Sequence, residues 1–430
     1  MVKANRFAFA VLSCLIATGA PLAQLRAQKP ELVKVTDRIY SATGYALGNV
    51  IYVITGKSIV VIDTTESPAA ARQTLAEMRK ISQLPISYII YTHFHGDHIN
   101  GANVFKTEGT RIIAQREHTK EMARYVRLAP YNRRLNAIQF GATLDEKERG
   151  VSLARDPRSA PERGYLRPDI LFDDKYAFEE GGVRFELYHT TGETLDHLMV
   201  WLPDEGALLP GDLFYQSFPM LASPMKHDRP VLAWAESVER MRGFKPRHLV
   251  GSHSRPLSGE QQIDQTLANY ARAIRHVHDE TIKLINQGKT LDEVRAAVRL
   301  PEDLARLDYL QPNYGRVEWS VNGIYRQYTG WYDFNPAHLN PAPGADFNRA
   351  MVEAAGSAAI IKRAETALLK GEHQLAAMLA DVVLDGEPSN QPAHRVAAAA
   401  YEKLAGAARN TVERNIYLAA AREHKAAAGK

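Results

Sequence analysis

The chain has 430 residues, 45% of them hydrophobic and 24% charged, the proportions of an ordinary soluble globular protein. That length exceeds a single core and implies two domains or three. Formal charge is +4, but Lys3, Arg6 and Arg26 lie in an acid-free start; removing them from the 53 basic side chains leaves 50 against 49 acidic, so no nucleic-acid partner is expected.

Residues 1–27 read as a signal peptide. Lys3 and Arg6 form a basic start, 7–17 are largely apolar, and small residues follow to Ala27. The apolar stretch is too short to span a bilayer, so a periplasmic or secreted protein without stable membrane insertion is expected. Cys14 is the only cysteine, which leaves the processed chain without a disulfide or a thiol ligand.

Short strands are predicted at 39–40, 50–55 and 58–63, then a helix over 67–82 capped by Ser67 and Pro68. Strands at 86–91 and 111–114 complete a layered α/β pattern. Residues 115–174, rich in Arg and Pro, read as a partly helical insertion able to cover a site. Strands resume at 176–178, 183–189, 198–202, 207–210 and 248–251, with a helix at 231–243. From 259 onward the pattern is helical: 259–287, 290–298, 356–369, 371–384, 392–404 and 411–428. The last four have the look of stacked tetratricopeptide-like pairs or of a plain bundle. The expected division is therefore 28–258 catalytic, with the 115–174 insertion, and 259–430 helical.

The most informative segment is 91–98, YTHFHGDH, directly behind an apolar strand. His93, His95, Asp97 and His98 within six positions suit a borderline divalent ion, zinc above all. One such cluster is about half of a two-metal site. His197, Asp212 and His253 each follow a predicted strand, where a sheet edge presents ligands, and the expectation is two Zn2+ per chain. Asp97, a carboxylate among imidazoles, is the expected catalytic residue that binds and orients a hydroxide. Asp63 reads either as a partner for a ligating imidazole or as a strand-end cap. Glu193 and Asp196 read as solvated loop carboxylates, Tyr215 as core, and His118, His189, His227, His276 and His278 as structural or surface residues. Gly96 and Gly192 are expected to allow tight turns.

In order and context these segments resemble the metallo-β-lactamase superfamily over residues 33–259. The resemblance implies an αββα sandwich with metals at one edge of its two sheets. His93, His95 and His197 would hold one zinc, Asp97, His98 and His253 the other, and Asp212 would bridge them. Further on, YGRV at 314–317, YRQYTGWY at 325–332 and NPAHL at 335–339 resemble the dimerisation domain of bacterial alkyl sulfatases, as do HDET at 278–281, NQG at 286–288 and residues 371–380. This implies an all-α dimerisation domain and a homodimer.

The implied function is a dinuclear zinc hydrolase using a metal-bridging hydroxide on an alkyl sulfate or related amphiphilic ester. Arg124, Arg127, Arg133 and Arg134 of the insertion are available to an anionic head. The departures keep a lactone or β-lactam hydrolase open: the family has glutamates at His197 and Asp212, and a His-Asn pair and a lysine at Trp319, Ser320 and Asn322. A non-catalytic assembly protein would require a missing ligand, and none is missing.

Overall fold

Alternation along the strands decides the architecture. In IVVI at 59–62, Ile59 and Val61 point to one face and Val60 and Ile62 to the other, and all four are fully buried. A strand buried on both faces needs a layer on each side. The computed structural model of the protein describes residues 29–149, 151, 162 and 164–429. The predicted leader, with Cys14, lies outside them.

The first half runs β1 (Glu31–Lys34), β2 (Ile39–Thr43), β3 (Val50–Ile54), β4 (Ile59–Ile62), α1 (Pro68–Arg79), β5 (Ile86–Ile90), α2 (Gly96–Ile99), α3 (Ala102–Phe105), β6 (Arg111–Gln115), α4 (His118–Arg127), α5 (Ala129–Gln139) and β7 (Ile170–Phe172). Seven strands form one sheet in sequence order, antiparallel from β1 to β4 and parallel from β4 to β7. β1 and β7, four and three residues long, carry too little pattern to be read from the sequence. Ser67 caps α1 through its hydroxyl, which accepts from the Ala70 amide, and Pro68 opens the helix.

The second sheet is built from β8 (Lys175–Glu180), β9 (Val183–His189), β10 (Leu198–Leu202), β11 (Ala207–Leu209), then α6 (Val231–Gly243), β12 (His248–Leu249) and β13 (Leu257–Ser258), in the order β13-β12-β11-β10-β9-β8. Ile51, Val53, Ile62 and Ile90 of the first sheet meet Phe185, Leu187, Val200 and Leu209 of the second in a dry interlayer. Outside the first sheet, Tyr52, Ile89 and Phe105 pack with α1 and α3. The result is an αββα sandwich.

The helical half comprises α7 (Glu260–Asn286), α8 (Leu291–Ala297), α9 (Glu302–Ala305), α10 (Val317–Tyr328), α11 (Gly344–Ala355), α12 (Ser357–Leu369), α13 (His373–Gly386), α14 (Gln391–Ala407) and α15 (Thr411–Ala428). The sheets end at Ser258, but the core does not stop there. Ile263, Leu267 and Ile274 of α7, with Val294, Leu304, Val321 and Ile324, share one apolar cluster with Met199, Leu208 and Leu249 of the second sheet. A separate core appears only in α12–α14, through alanines such as Ala364, Ala377 and Ala397 that let helices approach closely. The α15 helix returns to the insertion: the Asn415 amide donates to the Gln139 and Val151 carbonyls, and Arg422 to that of Thr143.

Candidate metal centre

The candidate ligands come from turns and loops that follow strands, gathered at one edge of the sandwich. Asp63 follows β4; His93 and His95 lie in the turn after β5, with Asp97 and His98 on the short α2; Glu193 and His197 come from the β9–β10 loop, Asp212 from the turn after β11, and His253 from that after β12. Chain segments as far as 189 residues apart thus meet, Ser252 donating to Asp63.

Three groups of three ligand atoms lie within 4.8 Å of one another: His93, His95 and Glu193; His93, His98 and Asp212; Asp97, His98 and His253. The Asp212 carboxylate stands between the others, 3.9 Å from His93 Nε2, 3.5 Å from His98 Nε2 and 3.0 Å from His253 Nε2. Asp97 lies 3.5 Å from both His98 and His253.

Hydrogen bonds fix which ring nitrogen each histidine presents. Asp63 can only accept, so His98 Nδ1, 2.8 Å from its carboxylate, carries a proton. The Thr92 hydroxyl donates to Asp63 and therefore receives the Nδ1 proton of His93 at 3.1 Å. His253 Nδ1 donates to the Leu47 carbonyl at 2.8 Å. All three thereby turn Nε2 toward the centre, as neighbours of ligating imidazoles commonly arrange.

His197 behaves differently, and this corrects the expected ligand set. Its Nδ1 is 3.0 Å from the Thr190 hydroxyl, and its Nε2 accepts the Asp212 amide at 3.1 Å. With that lone pair occupied, the imidazole buttresses the Asp212 turn. Gly211 adopts φ +56° there, and a Cβ would come within 2.6 Å of His197 Nε2. Glu193 takes the vacated place. It is 4% exposed rather than solvated, 3.4 Å from His95 Nδ1, and ion-paired with buried Arg229. Asp196 is likewise buried, bonded to His118 at 3.0 Å, which makes both structural. The signal for Glu193 was its place in the ligand-bearing loop; the signal for Arg229 was absent, since nothing near it in sequence suggests a site.

Electrostatics agree with a cation centre. Burial pulls the His98 pKa down, but the Asp212, Asp97 and Asp63 carboxylates outweigh it and hold it well above the ordinary value. His253 is pushed up to about 9 against burial, chiefly by Asp212. Burial, with His98 and His95 beside it, holds His93 well below its usual range. Burial raises Glu193 to about 8 despite Arg229. His98 Nε2 and Asp212 Oδ1 are buried without a hydrogen-bond partner. Carboxylates that keep protons on inward-facing imidazoles, beside orphaned donor atoms, are a fit for divalent metal.

Residues 44–253 match the metallo-beta-lactamase superfamily, and 290–427 match alkyl sulfatase dimerisation. A linear primary-alkylsulfatase of Pseudomonas sp. is 31% identical over 384 residues, 85% of this chain and 72% of that protein. The chain belongs to the alkyl sulfatase family of the metallo-β-lactamase superfamily. An alkyl/aryl-sulfatase of Saccharomyces cerevisiae is 27% identical over 409 residues, 91% of this chain and 63% of its own length. The solved structure of the stereoselective inverting sec-alkylsulfatase Pisa1 from Pseudomonas sp. shares the fold, at TM-score 0.86, 24% identity, and 92% and 66% coverage of this chain and that one. The chain thus spans about two thirds of the length of these relatives.

Within this alkyl sulfatase-family chain, the positions that depart from the family's pattern split. Ser320 is buried and donates to the Arg316 carbonyl. Trp319 and Asn322 line a separate hollow of about 430 Å³ with Arg295, Arg316 and Glu318, beside α8 and α10. Nearer the metal centre lie two cations the sequence did not flag. Lys226 Nζ donates to the Asn136 amide oxygen of α5 at 2.7 Å. Burial and the Arg229 charge pull its pKa down to about 8, while Asp97 and Glu193 act in the opposite sense.

Proposed function

We propose that the chain is a dinuclear metal-dependent hydrolase of alkyl sulfate esters or related amphiphilic esters, with zinc as the metal. One ion would be held by His93, His95 and Glu193 and the other by Asp97, His98 and His253, with Asp212 between them. When bound, such a pair lowers the pKa of a shared water toward neutrality and stabilises negative charge on a substrate oxygen. Asp97, facing His98 and His253, is placed to orient the attacking water. Arg229, donating to the Met220 carbonyl at 2.6 Å and paired with Glu193, fixes that carboxylate in place.

The observation that carries the substrate reading is Lys226. It is a half-buried ammonium within reach of the Asp97 and Glu193 fields, held by Asn136, on the side where the insertion meets the metal loop. An anionic head group fits such a cation. The departures at Trp319, Ser320 and Asn322 from the family's His-Asn pair and lysine favour the second reading, a lactone or β-lactam. Export through the leader and a homodimer through the helical half belong to the same proposal; no helix among the described residues is long and apolar enough to cross a membrane.

The test is metal analysis of the purified protein followed by assays on dodecyl sulfate, a long-chain lactone and nitrocefin, each repeated with His95→Ala. Dodecyl sulfate hydrolysis lost in His95→Ala supports the first reading, and turnover of the cyclic substrates alone replaces it with the second.

A further inference from the structure

The α4–α5 hairpin of the insertion ends in a tip the proposed reaction does not use. Val126, Leu128 and Tyr131 are 62%, 48% and 58% exposed, within six residues of the helix junction. Arg127, Arg133 and Arg134 surround them, all exposed, and none forms an ion pair with a described residue. Arg124, one turn back, is by contrast committed to Glu121 and His227. Large apolar side chains grouped on a surface are unusual for a freely dissolved face. Apolar residues rimmed by unpaired guanidinium groups match the boundary between acyl chains and anionic head groups. A protein partner is less well matched, since three exposed guanidinium groups stand beside only three exposed apolar side chains.

The hairpin is tied to the metal loop close behind this tip. Tyr125 lies 6.0 Å from Phe94, the residue between His93 and His95, and Asn136 holds Lys226. We propose that the tip docks on the surface of an anionic lipid layer, which places the site mouth where amphiphilic molecules partition. This extends the substrate reading above, resting on it only for what is delivered.

Binding is measured by co-sedimentation with equimolar phosphatidylglycerol–phosphatidylcholine vesicles and with pure phosphatidylcholine vesicles, using the full chain carrying His95→Ala. The assay is thus independent of turnover. The expected results are binding to the anionic vesicles alone, weakened by salt, and about fivefold weaker for each of Arg127→Ser, Arg133→Ser and Arg134→Ser. The combined Val126→Ser, Leu128→Ser, Tyr131→Ser variant should lose binding while keeping its circular dichroism, and the same three substitutions made in the chain that retains His95 should leave hydrolysis of dissolved substrate unchanged. Absence of binding to anionic vesicles, or equal binding by the apolar variant, overturns the proposal. So does a change in the variant's sedimentation coefficient, which would assign the tip to a second copy of the chain. Failure of the dodecyl sulfate assay with vesicle binding intact overturns the substrate reading alone.

Discussion

Replacing Asp63 with Asn isolates the residue that organises the centre without touching a metal. Asp63 is fully buried and accepts four donors: the Thr92 amide at 2.9 Å on Oδ1, and on Oδ2 the Thr92 hydroxyl at 2.9 Å, the Ser252 hydroxyl at 3.0 Å and His98 Nδ1 at 2.8 Å. Asn tolerates the left-handed backbone here, φ +58°, so the turn itself survives. Its carbonyl will take the Oδ2 position, because three donors converge there. The amide NH2 then faces the Thr92 N–H, leaving a buried donor unsatisfied at a cost of about 1–3 kcal/mol. The three retained bonds lose their charge assistance, about 1 kcal/mol each. Together these give roughly 3–5 kcal/mol of lost stability in the metal-free protein, allowing for non-additivity. Metal affinity should fall about 10–100-fold, as when the partner of a ligating imidazole is removed. Chelator competition on protein shown to be folded by circular dichroism reads the second quantity. An affinity within about threefold of the parent would make Asp63 a strand-end cap and refute the role in orienting His98.

Metal-replete protein should contain about two ions per chain, and Glu193→Gln should weaken one of them while His197→Gln leaves stoichiometry intact; the reverse pattern, read by elemental analysis, restores His197 to the ligand set. Lys226→Met should raise KM for dodecyl sulfate and leave KM for a neutral lactone unchanged. Because the Lys226 pKa is depressed to about 8, its charge is present below that pH and lost above it, so KM for the sulfate should climb as pH passes 8. A flat profile, or the same inflection in the methionine variant, rules the residue out. Gly101→Ala would drive a Cβ to 2.0 Å from the Thr64 carbonyl and 2.6 Å from Ala71, behind α2; a stability loss of about 1–3 kcal/mol in denaturant titration is expected, and none at all would mean that this contact relaxes freely.

The metal-loop cluster, the central strands and the long helices were legible because each is a local pattern: ligand density in six residues, a continuous apolar run bounded by turn residues in β4, and helical spacing sustained through α7 and α12–α15. The short strands β1, β7 and β13 were not, since two to four residues hold no period and form only by pairing with an existing edge. α10 was hidden by its valine, tryptophan and glycine, which favour helix little, and is held by packing on α7 and α8. The side chains that govern the site's charge, Arg229 and Lys226, sit in a stretch without regular structure and acquire meaning only from what folding places beside them.

What the sequence determined alone is the chemistry available: imidazoles and carboxylates at strand ends, in an order that brings a metal-binding edge into being. Which of two neighbours in one loop turns inward was decided by tertiary structure. The Asp212 amide occupies the His197 lone pair, and Arg229 draws the Glu193 carboxylate to His95. A lone pair can be satisfied only once, and by which partner depends on a backbone 15 residues away that no local pattern positions.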